Sequence, residues 1–210
     1  MPCPYKIDMI SIEGNIGAGK STLCRQLRAG GFCTFEEPVV DWTVQGEDGT
    51  SHNVLTAFYR NPVKYACMFQ QLVLRTRVEQ AKEWKSKRGF VERCVHSDRL
   101  FGAMQYRLGN MDPVEYGSYL YQFRQAVQDM PTPIVGHVYL KTSVDTCLAR
   151  IAKREREGEQ GITRSYLSLL EEEHESWLGG LPNVLVLDGE KPMHLHDLRL
   201  VIASFESSLK

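Results

Sequence analysis

The stretch EGNIGAGKST, residues 13–22, decides the fold of this 210-residue chain. From Gly14 to Ser21 it fits the pattern GxxxxGK[ST] at every fixed position. An apolar run, IDMISI (7–12), precedes it, and a segment with helical periodicity, Lys20–Ala29, overlaps its end. Glycines in such a loop let backbone N–H groups wrap phosphates, and the helix N-terminus adds the positive end of its dipole. The stretch therefore predicts a phosphate-binding loop between a strand and a helix.

The loop residues are predicted to bind a nucleoside triphosphate. In this motif the lysine, here Lys20, reaches the β- and γ-phosphates, and the hydroxyl of Ser21 binds Mg²⁺. ATP or a related triphosphate is the expected ligand, with Mg²⁺ as its companion. The residues predicted to form the triphosphate site are Gly14, Asn15, Ile16, Gly17, Ala18, Gly19, Lys20, Ser21 and Thr22.

Strand-like and helix-like segments alternate along the chain. The predicted strands are Ile7–Glu13, Cys33–Glu36, Gly89–Glu92, Ile134–Leu140 and Val184–Asp188. The predicted helices are Lys20–Ala29, Pro62–Lys87, Ser97–Leu108, Pro113–Met130, Val144–Arg156, Ser165–Leu178 and His194–Ser207. This alternation indicates an α/β fold, with a five-stranded parallel sheet covered by helices on both faces. Because one hydrophobic core serves chains of up to about 250 residues, we expect a single domain over residues 1–210.

Composition narrows the expected partners and location. The formal net charge is −1, so no global basic field draws the chain onto nucleic acid. No apolar run approaches the roughly 18 residues of a membrane-spanning helix, so no membrane association is expected. The six cysteines show no CxxC spacing and no signal-peptide pattern, which predicts reduced thiols and a cytoplasmic location. A mitochondrial location after processing is the open alternative.

Charged residues follow the second and third predicted strands. Glu36 and Glu37 come at the end of the second strand, and Glu92 and Arg93 at the end of the third. Because ligands of doubly wound sheets bind at the carboxyl ends of the strands, these side chains are expected beside the phosphate loop. Either Glu36 or Glu37 is a candidate base for an acceptor hydroxyl, and Glu92 is a candidate metal ligand. Arg93 is placed to stabilise a transferring phosphoryl group.

A basic cluster ends the fifth predicted helix. Arg150, Arg154 and Arg156 belong to it, and glycines follow directly. This pattern predicts a lid over residues 150–161 that closes on ATP, with those glycines as hinges. The alternative is a solvated helix face, on which alternating charges are common.

Six motifs occur together in the chain. They are EGNIGAGKST (13–22), EEPVVDW (36–42), FYRNPVKYACMFQ (58–70), ERCVHSDR (92–99), RIAKREREGEQGI (150–162) and HESWL (174–178). In order and spacing they resemble the deoxynucleoside kinases related to deoxycytidine and deoxyguanosine kinase. The resemblance implies a P-loop kinase fold with an arginine-rich lid, and a homodimer. It also implies transfer of a phosphoryl group from a nucleoside triphosphate to the 5′-hydroxyl of a deoxynucleoside.

The resemblance assigns roles around the phosphates. Glu37 matches the general base that accepts the 5′-hydroxyl proton, which selects between the two glutamates that the strand-end argument left open. Arg93 matches the arginine beside the phosphates, and Glu92 matches the acid on the Mg²⁺ side. The lid arginines that match contacts of the phosphate donor are Arg150, Arg154 and Arg156.

The resemblance also outlines a substrate pocket. Trp42 matches a tryptophan that lines the sugar and base pocket, and Phe69 matches a neighbouring pocket position. Tyr59 and Glu159 match the pair that binds the sugar 3′-hydroxyl. Gln70 matches the glutamine that contacts the Watson–Crick edge of the base.

Three positions bear on the choice of base, and a fourth departs from the motif of the family. Arg77 and Asp98 align with an arginine–aspartate pair at the base edge of members that prefer deoxycytidine and purines. Such a pair crowds the space of a thymine methyl, so we expect deoxycytidine and purine deoxynucleosides to be accepted before thymidine. Gly102 falls where many members carry phenylalanine, which indicates a roomier pocket. Cys94 replaces the serine that commonly follows Glu-Arg in the family.

Two other functions stand as alternatives. A nucleoside monophosphate kinase such as thymidylate kinase shares the loop and the lid, but its acceptor needs cationic contacts that the predicted pocket does not offer. A non-catalytic P-loop protein would bind the nucleotide without phosphorylating a small molecule. The guanine-reading NKxD motif of GTPase switches is absent from the sequence. For the implied homodimer, the expected interface lies on the helices Pro62–Lys87 and Pro113–Met130.

Overall fold

The computed structural model describes residues 9–84 and 87–209. The strands are β1 (Met9–Glu13), β2 (Thr34–Phe35), β3 (Thr43–Gln45), β4 (Ser51–Asn53), β5 (Gly89–Glu92), β6 (Ile134–Lys141) and β7 (Val184–Asp188). The helices are α1 (Lys20–Ala29), α2 (Val54–Arg60), α3 (Pro62–Ala81), α4 (Val95–Arg107), α5 (Pro113–Asp129), α6 (Val144–Arg154), α7 (Arg164–Gly179) and α8 (Leu195–Ser208). Predictions for Cys3, for Ile7 and Asp8 of the first strand, and for Lys85 and Ser86 of the second helix lie outside the described residues.

The central sheet contains five parallel strands in the order β2-β5-β1-β6-β7. β1 lies in the middle, with β5 on one side and β6 on the other. Because the strands are parallel, their carboxyl ends lie along one edge of the sheet, and the loop after β1 begins at the middle of that edge. The predicted α/β fold of a P-loop kinase is confirmed.

Short polar residues begin the two helices that form one wall of the molecule. Asn61 caps α3, because its side chain accepts a hydrogen bond from the backbone N–H of Lys64, and Pro62 follows in the first turn. Asp112 caps α5, and Glu115 reaches back to the Asp112 N–H to complete a capping box. Proline in the first turn removes no intrahelical hydrogen bond, and a cap of this kind contributes roughly 1 kcal/mol.

Two hydrophobic cores support the edge of the sheet that carries the loop. The larger core includes Ile12 and Val138 from the sheet, packed with residues of α1, α6, α7 and α8. A second core contains Trp42, Phe58 and Phe69 and belongs to α2, α3 and the turn before β3. Burying a side chain of this size stabilises the fold by roughly 1.5–3 kcal/mol. The second core therefore packs α2 against α3.

Two helices are shorter than predicted. α3 ends at Ala81, and a 3-10 turn continues to Trp84, whose ring is fully buried. α6 ends at Arg154, because Glu155 adopts a left-handed conformation with φ of 51°. An α-helix cannot continue through a left-handed residue, so the predicted extension to Arg156 is wrong.

The sequence analysis missed the β3–β4 hairpin and α2. Each strand of the hairpin has three residues, all exposed, so no alternation of apolar and polar positions marks them. α2 spans seven residues, which is too short for a clear helical period. It begins where Asn53 accepts a hydrogen bond from the N–H of Thr56, and it brings Phe58 and Tyr59 beside the loop.

Several predictions concern the molecule as a whole. No helix in the described part of the chain combines the length and apolar character needed to cross a bilayer. The cysteines of that part, Cys24, Cys33, Cys67, Cys94 and Cys147, are free thiols. A single domain over residues 1–210, a cytoplasmic location and the absence of a nucleic-acid partner stay predictions.

Candidate active site

Two cavities flank the loop that follows β1. Cavity A, of about 270 Å³, is lined by Lys20 of the loop and by Glu37 and Arg93, which follow β2 and β5. Cavity B, of about 280 Å³, is lined by Arg150 of α6 and by the segment 188–193 after β7. Ile16, Gly17, Lys20 and Ser21 face cavity A, whereas Ala18, Gly19 and Thr22 face cavity B.

Close backbone packing explains two glycines of the loop. Gly14 has a φ of 144° and Gly17 a φ of 80°, a region that side-chain-bearing residues rarely adopt. A Cβ at Gly14 would lie 2.7 Å from the carbonyl oxygen of Leu140. A Cβ at Gly17 would lie 2.6 Å from the carbonyl oxygen of Cys147. Only glycine therefore lets the loop pack this closely on its neighbours.

Lys20 and Asn15 anchor the phosphate loop, and Lys20 places a positive charge beside it. Lys20 is the first residue of α1, and its buried Nζ donates to the backbone carbonyl of Asn15 at 2.8 Å. Burial lowers the pKa of Lys20 to about 8, and the Arg93 charge acts in the same direction. The Asn15 side chain donates to the carbonyl of Leu167 at 2.8 Å and so ties the loop to α7. With the positive end of α1, this arrangement favours an anion.

Glu37 lies in cavity A between two arginines. Its Oε1 is 3.3 Å from Nη2 of Arg77 and 3.5 Å from Nε of Arg93. Burial raises the pKa of Glu37, but Arg93 and then Arg77 lower it by more, so its pKa lies below the ordinary value. Glu36 also borders the cavity, but its side chain is 37% exposed and pairs with Arg28 at 3.0 Å. Of the two glutamates, Glu37 is the one held in place and ionised inside the cavity.

The predicted pair of Arg77 and Asp98 forms, with a changed role for Arg77. Nε and Nη2 of Arg77 donate to the two carboxylate oxygens of Asp98, each at 2.9 Å. Nη1 donates to the backbone carbonyl of Glu92 at 3.0 Å. Arg77 has no exposed surface and lies behind the wall of cavity A, whereas Asp98 lines it. The prediction of Arg77 as a direct substrate contact is corrected: it supports Asp98 and Glu37, which face the cavity.

Oxygen atoms suited to a divalent cation meet beside the loop. The Ser21 hydroxyl donates to Oε1 of Glu92 at 3.0 Å, and both residues line cavity A. Hydroxyl and carboxylate oxygens are ligands that Mg²⁺ prefers. These two residues therefore fit the predicted metal site.

Arg93 is held by groups to which the sequence analysis gave no role. Its own backbone is strained, with a φ of 64°. Its guanidinium carbon lies 4.5 Å from the centre of the Phe101 ring, and Nη1 lies 3.4 Å from Nε2 of His174. Nδ1 of His174 lies 2.7 Å from the carbonyl of Leu170, which assigns the proton to Nδ1 and leaves Nε2 as an acceptor. Burial lowers the pKa of His174 to about 3, so the ring is neutral.

The sequence gives no role to His174 and Phe101, which hold Arg93, or to Phe58 and Tyr166, which line cavity A. His174 opens the HESWL motif, which was matched to the family without a role. Phe101 follows Asp98 by three residues, and residues three apart share one side of a helix. Neither residue follows a strand directly, and the family motifs assign no role to either.

An aromatic wall faces the charged side of cavity A. The predicted substrate residues Trp42, Tyr59, Phe69 and Gln70 all line the cavity. The Phe69 ring meets the edge of Trp42 with centroids 5.2 Å apart and stacks on Phe58 at 5.1 Å. This wall offers flat apolar surface together with the amide of Gln70, an arrangement that suits a planar polar ring.

The three predicted lid arginines face two different cavities. Arg154 donates through Nε and Nη2 to the carboxylate of Glu159, at 2.9 and 2.7 Å. Nη1 of Arg156 lies 3.4 Å from Oε1 of Glu159, and all three residues line cavity A. Arg150 lines cavity B instead and donates to the carbonyl of Ala18 at 2.9 Å. Arg150 therefore braces the loop from the far side and does not belong to the Arg154–Arg156 group.

Gly102 does not enlarge cavity A. A Cβ at this position would lie 2.2 Å from the ring of Tyr119, a fully buried residue of α5. The hydroxyl of Tyr119 donates to the backbone carbonyl of Asp98 at 2.9 Å. The expectation of a roomier pocket at Gly102 is wrong, because Tyr119 fills that space while Phe101 lines the cavity.

Comparison with known proteins decides the family. A model of the deoxynucleoside kinase family matches residues 10–201. The chain belongs to the deoxynucleoside kinase family. This deoxynucleoside kinase is 35% identical over 173 residues to the probable deoxycytidine kinase of fowlpox virus, which covers 80% of the chain and 71% of that protein.

Vertebrate relatives match a longer stretch of this deoxynucleoside kinase. Deoxycytidine kinase 2 of Gallus gallus is 34% identical over 202 residues, or 82% of the chain and 74% of that protein. Deoxycytidine kinase of Homo sapiens is 32% identical over 206 residues, or 82% of the chain and 76% of that protein. The predicted family and the predicted enzyme class, a kinase acting on a deoxynucleoside, are confirmed.

Proposed function

We propose that this deoxynucleoside kinase transfers the γ-phosphoryl group of ATP to the 5′-hydroxyl of a deoxynucleoside bound in cavity A. The position of the Glu37 carboxylate is the observation that carries the proposal. Its carboxylate is held by Arg77 and Arg93 in the cavity that also contains Lys20 and Ser21. An ionised carboxylate beside a phosphate loop is suited to accept the proton of an attacking hydroxyl.

Each charged group acts on a different part of the transfer. Glu37 accepts the proton of the 5′-hydroxyl while the hydroxyl oxygen forms a bond to the γ-phosphorus. The bond between that phosphorus and the bridging oxygen breaks, and ADP leaves. Lys20 and Arg93 stabilise the negative charge on the phosphoryl oxygens during this step. Arg154 and Arg156 bind the same oxygens when the phosphates displace Glu159 as the partner of these two arginines.

Ser21 and Glu92 hold Mg²⁺ in this proposal. When bound there, the ion would supply positive charge that stabilises the phosphates. The hydrogen bond between the two side chains, at 3.0 Å, supports their use as a pair. The donor nucleoside takes cavity B, where Thr22, Arg150 and the segment 188–193 meet beside the loop.

The sugar and base of the acceptor take the rest of cavity A. Tyr59 and Glu159 bind the 3′-hydroxyl, so the lid residue Glu159 contacts both the acceptor and the arginines of the donor side. Gln70 and Asp98 bind the polar edge of the base, and Trp42 and Phe69 form the apolar wall. The lining of the cavity by all six side chains supports this assignment.

A neutral acceptor suits cavity A better than a nucleoside monophosphate. Arg154 and Arg156 are paired with Glu159, and Arg93 lies beside Glu37. A phosphate on the acceptor would meet the carboxylates of Glu37 and Glu159, and like charges at short range are unfavourable. This pattern disfavours the thymidylate-kinase-like alternative.

The proposal is tested by comparing two acceptors and by replacing each of the two candidate general bases. With ATP and Mg²⁺, deoxycytidine is expected to be phosphorylated and deoxycytidine monophosphate is not. Glu37→Gln is expected to lower kcat by about 10²- to 10⁴-fold, the range of general base catalysis, while deoxycytidine still binds. Glu36→Gln, the neighbouring and more exposed glutamate, is the matched control and keeps most of its turnover. Full turnover in Glu37→Gln would show that another group is the base.

We further propose a homodimer through α3 and α5. The two helices pack side by side, and the outer surface of α5 exposes Val114 and Tyr121, at 79% and 62%. Gly117 lies between them with open space around it, so another helix can approach closely. Val63 and Met68 add exposed apolar surface on α3. Exposed apolar residues grouped in this way favour a protein interface.

A further inference from the structure

A buried cluster outside the proposed mechanism joins three strands of the sheet. Glu13 is the last residue of β1, Cys94 follows β5 by two residues, and His137 lies in β6. Their exposed fractions are 0%, 1% and 8%. One ligand atom from each side chain lies within 4.8 Å of the other two. Three buried groups that bind metals in other proteins thus converge on one point behind the phosphate loop.

The buried carboxylate of Glu13 is incompletely hydrogen-bonded. Neither of its oxygens makes a hydrogen bond of ordinary length to a described residue. Burial raises the pKa of Glu13, although the Arg93 charge and the nearby polar side chains of Ser11, Cys94 and Ser97 act against this. An unpaired polar group in a protein interior costs roughly 1–3 kcal/mol, and a charged one costs more. A cation bound to a carboxylate oxygen would give Glu13 a charged partner and reduce that cost.

The donor set selects the cation. A thiolate and an imidazole are ligands of Zn²⁺, and a carboxylate completes a set of three with one position left open. Mg²⁺ prefers oxygen ligands alone, which separates this cluster from Ser21 and Glu92. With Cys94 as thiolate and Glu13 as carboxylate, the ligand charges of −2 match the charge of Zn²⁺. The result is a neutral buried site.

We propose that Glu13, Cys94 and His137 form a Zn²⁺ site. Binding forms a bond from zinc to sulfur, and the thiol proton of Cys94 leaves to solvent. The Ser11 hydroxyl lies 2.7 Å from Nδ1 of His137 and orients the ring, and Trp177 packs against it with centroids 5.1 Å apart. A partner that orients the imidazole is a regular feature of metal sites.

Zinc at this site links the elements that carry the phosphate loop and the phosphate-side arginine. Glu13 directly precedes Gly14, and Cys94 directly follows Arg93. Because the ligands come from different strands, the unfolded chain does not preform the site, and metal binding stabilises the folded state. We therefore expect zinc to raise the Tm of the metal-stripped protein. The proposed site stabilises the fold and does not depend on the proposed phosphoryl transfer.

Cobalt is the probe that tests the site. Metal-stripped protein receives one equivalent of Co²⁺ in excess Mg²⁺, which occupies oxygen-only sites. We expect the charge-transfer absorption of a cobalt–thiolate bond, its loss on adding Zn²⁺, and one zinc per chain by equilibrium dialysis. Absence of the thiolate absorption in the parent protein would overturn the proposal without any variant.

Variants identify the ligands. Cys94→Ser and His137→Val are each expected to weaken Zn²⁺ binding by at least about tenfold, since even an outer partner of a ligand costs that much. Cys24→Ser is the matched control, because Cys24 is equally buried but lies on α1 in the apolar core. Circular dichroism and Tm without metal show whether each variant is folded. Equal thiolate absorption in Cys94→Ser and Cys24→Ser would show that another thiol binds the metal. That outcome would contradict the proposal.

Discussion

The charge of Lys20 makes ATP binding depend on pH. Burial lowers its pKa to about 8, whereas bound phosphates favour the charged form. Below that pH the free enzyme already carries the proton, but above it ATP binding must take one up. We expect kcat/KM for ATP to be level just below pH 8 and to fall by up to roughly tenfold per pH unit above it.

A variant with a permanent charge controls for the rest of the protein. ATP affinity of Lys20→Arg is expected to show no decline in this pH range, because arginine stays protonated. The affinity itself will be weaker, because the guanidinium does not fit the place of the ammonium. A parent profile that stays flat one pH unit above the pKa of Lys20 would contradict the assignment.

His174 is a positioning residue that acts through Arg93. Nε2 accepts from Arg93 and the ring lies against Tyr139, so it touches the arginine and not the substrate space. A hydrogen bond to a charged group contributes roughly 1.5–3 kcal/mol, so His174→Phe is expected to lower kcat by about tenfold or more. KM for deoxycytidine should change little, because the acceptor pocket is intact.

Rescue distinguishes positioning from packing. His174→Gln keeps an acceptor for Arg93 and is expected to recover much of the kcat that His174→Phe loses. Initial-rate kinetics on both variants measure the difference, with Tm as the record of folding. If both variants lose kcat equally while folded, the hydrogen bond to Arg93 is not the cause.

Asp98 is the residue on which the predicted base preference depends. Both of its oxygens accept from Arg77, so its carboxylate cannot turn away to admit a thymine methyl. We expect deoxycytidine, deoxyadenosine and deoxyguanosine to react faster than thymidine in the parent. In Asp98→Ala the thymidine-to-deoxycytidine rate ratio is expected to rise at least about tenfold, as buried polar groups discriminate strongly.

A ratio is the useful quantity here because Asp98→Ala also leaves Arg77 buried without its main partner. The ratio of two rates does not depend on how much of the variant is folded. Asp41→Ala, in the turn before β3, is the control and should leave the ratio unchanged. An unchanged ratio in Asp98→Ala would remove Asp98 from the determinants of base choice.

At the scale of elements, helix ends and strand ends bring opposite charges together. Carboxylates follow β2 and end β5, and they line the same cavity as Lys20 at the start of α1, Arg154 at the end of α6 and Arg156 in the turn after it. The lid arginines are already paired with Glu159, so phosphates must compete with a carboxylate for them. In the proposed function, we expect this exchange to couple the lid to the phosphate donor.

The outer face of α5 provides an element-scale prediction. Tyr121→Glu places a charge in the proposed interface and is expected to convert the dimer to a monomer, because a buried unpaired charge is costly. Sedimentation velocity measures the change. Leu200→Glu on α8, an equally exposed apolar position at 59%, is the control and should stay dimeric. A parent that sediments as a monomer would end the proposal.

At the scale of the whole molecule, local patterns predicted what local physics controls. The helix Lys20–Ala29 after the phosphate loop and the strands Gly89–Glu92 and Val184–Asp188 were predicted with the bounds that the structure has. Their signals are short range: glycine spacing, and runs of residues that suit a buried parallel strand. The β3–β4 hairpin escaped because its exposed strands bury no face and so leave no periodic trace.

The amino-acid sequence by itself determined the phosphate loop, the parallel α/β order and the family, since these depend on residue types at fixed spacing. Only the tertiary structure decided that Arg77 stands behind the cavity, that Tyr119 fills the space beside Gly102 and that Arg150 faces cavity B. It also brought Glu13, Cys94 and His137 together. The reason is physical: side chains from distant segments meet only when helices and strands pack, and spacing along the chain carries no record of those contacts.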